Sequence, residues 1–180
     1  MEEAHPFRVV AWWASGRTGI ANSSSAPNAI HFTSPPAFGG MDGRWTPEDL
    51  LLCAVASCYT TTFRAVAESS KFEYKDLQVE VDGAIAKSET GYHFGEVFIR
   101  ANLTISHEQE QARAIKLLQK AKELCLVSRA LSLEQRFEPQ VQGLNHEWKL
   151  ATLCQLLAKR WVVDRTRKRS NCRGPERAAA

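Results

Sequence analysis

The sequence lacks the cysteine spacing of a zinc site: its five cysteines, Cys53, Cys58, Cys125, Cys154 and Cys172, include no CxxC pair. Its five histidines, His5, His31, His93, His107 and His146, are scattered and never take the HExxH spacing of a zinc hydrolase. No run of about 18 uncharged apolar residues occurs, so no membrane span is expected. The opening residues, MEEAHPFRVV, put acids where a secretory signal carries bases, and no apolar segment follows. The expectation is a cytoplasmic protein. In that setting cysteines are more often inert core, metal ligands or redox centres than structural disulfides. There is no internal repeat.

What is present is ordinary globular material. The chain has 180 residues, 44% hydrophobic and 24% charged, enough for one real core. Its charge is uneven. From Leu144 onward nine Lys/Arg face three Asp/Glu, a net +6 against +3 for the whole chain, so Met1 to Gly143 carries −3. Two regions follow: a body over 1–143 and a basic C-terminal extension over 144–180. In the extension Trp148, Leu150, Leu153, Leu156, Leu157 and Trp161 suggest an amphipathic helix, followed by the basic RTRKRSNCRGPER. A basic cluster can bind nucleic acid, but no aromatic residues interleave Arg165 to Arg177 and no binding motif accompanies it. It reads as a solvated, partly disordered extension in preference to a nucleic-acid tether.

Within the body, Phe7 to Trp13 reads as a first strand, Ser15 to Gly19 as a turn and Ala29 to Phe32 as a short second strand. Ser34 to Gly43, dense in Pro and Gly, is a turning approach to a helix. Leu77 to Ala84 and Tyr92 to Ile105 alternate apolar and polar residues as half-buried strands joined in a hairpin. Ser106 to Gln109 has capping-box spacing and predicts a helix running to about Glu123. A further helical piece over Leu124 to Leu133 and a strand over Phe137 to Val141 complete the order β-β-α-β-β-α-α-β. That order predicts an α+β fold.

The central helix spans Pro47 to Ser69, PEDLLLCAVASCYTTTFRAVAES. Thr46 suits the N-cap, Pro47 the first helical position, and Glu48 and Asp49 the positive end of the dipole. Leu50 to Tyr59 leaves no polar face, which predicts a buried helix about 34 Å long. Cys53 and Cys58 lie five residues, about 140°, apart on it and cannot pair with each other. Cys53 reads as core filler. Cys58 sits where polarity begins, between Ser57 and Tyr59-Thr60-Thr61-Thr62, and is either filler or a reactive thiol activated from elsewhere in the fold. Cys125 lies where one helix ends and LVSRAL begins. Either the new helix's N-terminus lowers its pKa, or it continues one apolar face.

The string PEDLLLCAVASCYTTTFRAVAE, its lead-in PPAFGGMDGRWTPEDLL and the later KAKELCLVSRAL resemble the OsmC/Ohr superfamily of thiol peroxidases over about Phe7 to Gly143. The resemblance implies an OsmC-like α+β fold, with antiparallel sheets around a long buried central helix in an intertwined homodimer. It implies reduction of organic hydroperoxides in oxidative and osmotic stress protection. Cys58 would attack the peroxide and Cys125 would resolve the sulfenic acid as a disulfide. Arg17, in a Gly-Arg-x-Gly turn, would stabilise the thiolate, and Glu48 would hold that arginine. No metal or other cofactor is implied, only an external reductant, a dithiol or a lipoylated protein. Where the family commonly has Cys-Pro-x-Ser, this chain has Cys125-Leu126-Val127-Ser128, and ELCLVSRAL resembles a less characterised OsmC-like branch more than Ohr proper. A competing reading is a non-catalytic redox sensor or small-ligand-binding dimer on the same fold.

One consequence is geometric. Glu48 and Cys58 lie about 15 Å apart along one helix. If both serve one site, two central helices from different subunits must pack antiparallel, each lending Glu48 to the other's Cys58.

Overall fold

A computed structural model describes residues 4–89 and 91–144. The basic extension expected over 144–180 therefore lies outside the described residues from 145 on, with Cys154 and Cys172 in it. The described residues form a mixed α+β fold of two three-stranded sheets and three helices. The first sheet is an antiparallel meander of β1 (Val9–Ser15), β2 (Thr18–Ser23) and β3 (Ile30–Phe32). The second orders β4 (Asp76–Ser88), β5 (Gly91–Ile105) and β6 (Glu134–Gly143). In it β4 pairs antiparallel with β5, but β6 runs parallel to β5. A parallel neighbour needs a crossover, and α2 (Gln111–Leu124) with α3 (Leu126–Ala130) supplies it. The last strand is thus not part of an antiparallel sheet, as the expected architecture had it.

Helix α1 (Pro47–Ser69) starts where expected. Thr46 Oγ1 accepts the Asp49 N–H at 3.2 Å, and Asp49 Oδ2 accepts the Thr46 N–H at 2.9 Å, a reciprocal cap. Its Tyr59, Phe63, Val66 and Ala67 pack against Ala101, Leu103 and Ile105 of β5 and Ala114, Leu118 and Ala121 of α2. A smaller cluster forms around Val55, Val97 and Ile99.

Three expectations need correction. The stretch Thr18–Ser23 is a strand, because pairing with β1 overrides its small and polar composition TGIANS. No capping box forms at Ser106. His107 instead precedes a single 3₁₀ turn over Glu108–Glu110, without a side-chain cap, and α2 begins at Gln111. The piece after it is five residues long, because β6 begins at Glu134, earlier than Phe137.

The largest difference concerns α1 itself. Its sequence calls for burial on every side, yet one chain covers only one side of it, and Cys53, expected in the core, is exposed. By length and hydropathy α1 could cross a membrane, and only 28% of its apolar window is buried within the chain. The uncharged part, Leu50 to Phe63, falls short of the roughly 20 residues a span needs. Strand β1 is exposed throughout, with Trp12 and Trp13 at 45% and 54% exposure. An apolar helix face and an apolar strand thus lie uncovered within the one chain.

Candidate functional site

Cys58 lies at the midpoint of α1, half-buried at the edge of the main core. Cys125 is fully buried at the junction of two helices, closing α2 and preceding α3. Because the backbone of Cys125 is extended (φ −65°, ψ 108°), α3 starts afresh and its first N–H groups have no helical acceptor. One of them finds Cys58: the Val127 N–H donates to Cys58 Sγ at 3.5 Å. The two motifs, 67 positions apart in sequence, therefore meet, close enough for each thiol to shift the ionisation of the other.

The electrostatics divide the pair. Burial pushes the Cys58 thiol up, but the Val127 N–H, the Cys125 thiol, the Thr62 hydroxyl and the Leu126 N–H together outweigh it and leave its pKa below the ordinary value. Burial also pushes Cys125 up. There the Ser128 N–H and hydroxyl only partly compensate, and Cys58 adds a further upward push. The sequence suggested that the helix start favours the thiolate of Cys125. In the structure the N–H groups of Leu126 and Val127 serve Cys58, and that of Ser128 serves Cys125. Backbone donors leave no trace in a sequence, whereas Thr62, one turn after Cys58, could have been found from its i+4 spacing.

The other two candidates lie elsewhere. Arg17 sits in the tight β1–β2 turn, and its Nη1 donates to the Gly39 carbonyl. Thr33, fully buried, ties that turn down: its hydroxyl donates to the Arg17 carbonyl at 2.7 Å and accepts the Met41 N–H at 3.3 Å. The loop needs both its glycines. Gly39 has φ +79°, and a Cβ at Gly40 would lie 1.5 Å from the Ser34 carbonyl oxygen. Glu48, in the first turn of α1, has its Oε2 buried with no hydrogen-bond partner among the described residues. It borders a cavity of about 520 Å³ lined by Phe38, Met41, Leu52, Ile85, Tyr92 and Phe94. Phe38 and Tyr92 close part of its wall edge to face, with ring centroids 5.0 Å apart. One chain thus brings Cys58 and Cys125 together and leaves Glu48 and the cavity at the far end of the same helix. Among the described residues no three His, Cys, Asp or Glu side chains converge as a metal site would need.

A two-cysteine centre between a long apolar helix and a βαβ crossover, in a fold of two small sheets, defines an OsmC/Ohr-type protein. The chain belongs to the OsmC-like protein family, whose sequence profile matches residues 40–140. It is similar to the uncharacterized protein YmaD of Bacillus subtilis, 29% identical over 143 residues, which span 77% of this chain and 95% of that protein. Its fold is similar to that of an organic hydroperoxide resistance protein from Elizabethkingia anophelis solved with thiocyanate bound. The TM-score is 0.64 at 23% identity, covering 80% of this chain and 100% of that one. The organic hydroperoxide resistance protein OhrB of Bacillus subtilis is also similar, with a TM-score of 0.55 at 24% identity, covering 77% and 98%. An OsmC-like protein of unknown function from Vibrio cholerae gives a TM-score of 0.66 at 14% identity, covering 76% and 99%.

Proposed function

We propose that the chain is a cytoplasmic thiol peroxidase that reduces organic hydroperoxides, with Cys58 as nucleophile and Cys125 as resolving thiol. The observation that carries this reading is the Val127 N–H on Cys58 Sγ with the Cys125 thiol beside it. A thiol whose pKa is lowered by directed donors is the one poised to attack. The Cys58 thiolate attacks the distal peroxide oxygen, the O–O bond breaks, and the leaving alkoxide takes a proton to become the alcohol. The Cys58 sulfenic acid then condenses with Cys125, releasing water and forming a disulfide. An external dithiol, of which a lipoylated protein is one form, returns both thiols, and no cofactor takes part.

The working unit is a homodimer. Glu48 of the partner subunit completes the Cys58 site, and Arg17 is the cation that Glu48 orients there. The buried, unpartnered Glu48 Oε2, its 15 Å or so from Cys58 along one helix, and the uncovered face of α1 support this arrangement. The apolar cavity beside Glu48 is suited to the organic part of a hydroperoxide.

Stopped-flow consumption of an alkyl hydroperoxide tests the reading. The unmutated chain oxidises rapidly, Cys58→Ser is inert, and Cys125→Ser stalls as the sulfenic acid. Equal rates in all three would reject it. A Cys58–Cys125 disulfide that no dithiol turns over would instead indicate a redox sensor.

A further inference from the structure

Cys125 has polar neighbours that the two-thiol chemistry does not use. Lys122 in the last turn of α2, Ser128 in α3 and Gln135 in β6 meet beside it. Lys122 Nζ donates to Ser128 Oγ and to Gln135 Oε1, each at 2.8 Å. Ser128 Oγ donates to Gln135 Oε1 at 3.0 Å, and Gln135 Nε2 donates to the Ser128 carbonyl at 2.7 Å and the Leu131 carbonyl at 3.3 Å. Ser128 is fully buried, and Lys122 is partly so. A lysine drawn into such a place from three elements calls for a reason, since burying an ammonium is costly unless a partner uses its charge.

The hydroxyl of Ser128 supplies that reason. It has one proton, which it donates to Gln135 Oε1, and it also lowers the pKa of Cys125, which makes the sulfur a second acceptor for that proton. With Cys125 a neutral thiol, the proton points to Gln135. With Cys125 ionised, the hydroxyl turns to the sulfur, and Gln135 Oε1 keeps its hydrogen bond from Lys122. No polar group in the network is stranded in either state.

We propose that Lys122, acting through the Ser128 hydroxyl, is a positioning residue that stabilises Cys125 as a thiolate when it attacks oxidised Cys58. The role in that step rests on the peroxidase reading above. In the step itself the Cys125 S–H bond breaks, its sulfur bonds to the Cys58 sulfur, and the Cys58 S–O bond breaks. The departing hydroxide takes the thiol proton as water, and Lys122 keeps all its protons. The need is clear from the surroundings. Burial disfavours the Cys125 anion, and the titratable groups facing it from α1, Cys58 and Tyr59, offer no positive charge. Tyr59 is committed to the Leu118 carbonyl at 3.0 Å. From β6 and α3 come the uncharged Gln135 and Ser128, so Lys122 is the cation of the group. Burial lowers its pKa, and the Cys125 sulfur acts in the opposite direction.

The test is the titration of Cys125 in full-length Cys58→Ser protein carrying [3-¹³C]cysteine, read as the Cβ shift and assigned by its loss in Cys58→Ser/Cys125→Ser. Lys122→Gln keeps a donor to Ser128 but removes the charge, and it should raise the Cys125 midpoint by about one pH unit. Ser128→Ala should shift it the same way, and Lys122→Arg should leave it within about half a unit. An unchanged midpoint in Lys122→Gln would overturn the proposal. So would an equal shift in Lys122→Arg, which would mark a packing role. With both thiols present, Lys122→Gln should leave Cys58 oxidation unchanged and slow disulfide closure about threefold near neutral pH. A tenfold loss of thiolate is partly offset there by its greater nucleophilicity. If the unmutated chain forms no Cys58 sulfenic acid, the peroxidase reading fails, and the titration alone decides the role of Lys122.

Discussion

The two ends of α1 differ in how far a single chain completes them. From its middle to its C-terminal end Tyr59 and Phe63 are fully buried against β5 and α2, and Cys58 has its donors and its partner thiol. At the N-terminal end Glu48 keeps an unpartnered buried oxygen beside an open apolar cavity, and Cys53 faces outward. The difference lies in what packs against each. The more complete part holds Cys58, the proposed nucleophile. The unfinished end holds the groups that would recognise a peroxide, which is the arrangement expected of a site shared between two subunits.

The largest effect that would break this comparison is in the more complete part. Cys58→Ser should lower peroxide turnover about a thousandfold or more, whereas Cys53→Ser should leave it within about twofold. Phe63, buried against Tyr74 with ring centroids 5.2 Å apart, should cost about 3–5 kcal/mol when cut to alanine, measured by urea unfolding. Trp12 sharpens the contrast. For a lone chain its exposure makes Trp12→Ala nearly neutral, within about 0.5 kcal/mol. For an intertwined dimer it should raise the dissociation constant at least about tenfold, read by sedimentation over a dilution series.

Smaller effects follow from charge and capping. The pKa of Cys58 is lowered in the fold, so its alkylation rate should level off at a pH below the ordinary thiol value of 9.0. The sign for stability follows: the contribution of the Cys58 thiolate is present above the unfolded pKa and is lost as pH falls through the folded one. A plateau at or above the ordinary value would mean that the Val127 N–H does not serve the sulfur. Thr46→Ala removes the reciprocal cap at the unfinished end and should cost about 1 kcal/mol of stability.

What the sequence made legible follows the same division. Thr46, Pro47 and the apolar run announced α1 to the residue, because capping and hydrophobic patterning are local. Strands β4 and β5 were readable from alternation. Strand β2 was not, since TGIANS owes its form to β1, and β6 was readable over Phe137 to Val141 but not in its earlier start at Glu134 or its parallel pairing. The meeting of Cys58 and Cys125 came through family resemblance, because no spacing rule links residues that far apart. The donors on Cys58 are mostly backbone, and the Lys122–Ser128–Gln135 network draws one polar residue from each of three elements. Only Ser128, three residues after Cys125, carried a visible sign. That α1 wants burial was plain in its composition, but composition does not say what covers it.

Complementation between two inactive variants tests the shared site most directly. Cys58→Ser chains and Glu48→Gln chains are each refolded alone and then together, and alkyl hydroperoxide turnover is measured. If Glu48 of one subunit serves Cys58 of the other, each mixed dimer regains one intact site. An equal mixture should then recover roughly a quarter of the unmutated activity, since half the dimers are mixed and each carries one site of two. A mixture no more active than its two components would contradict the shared site.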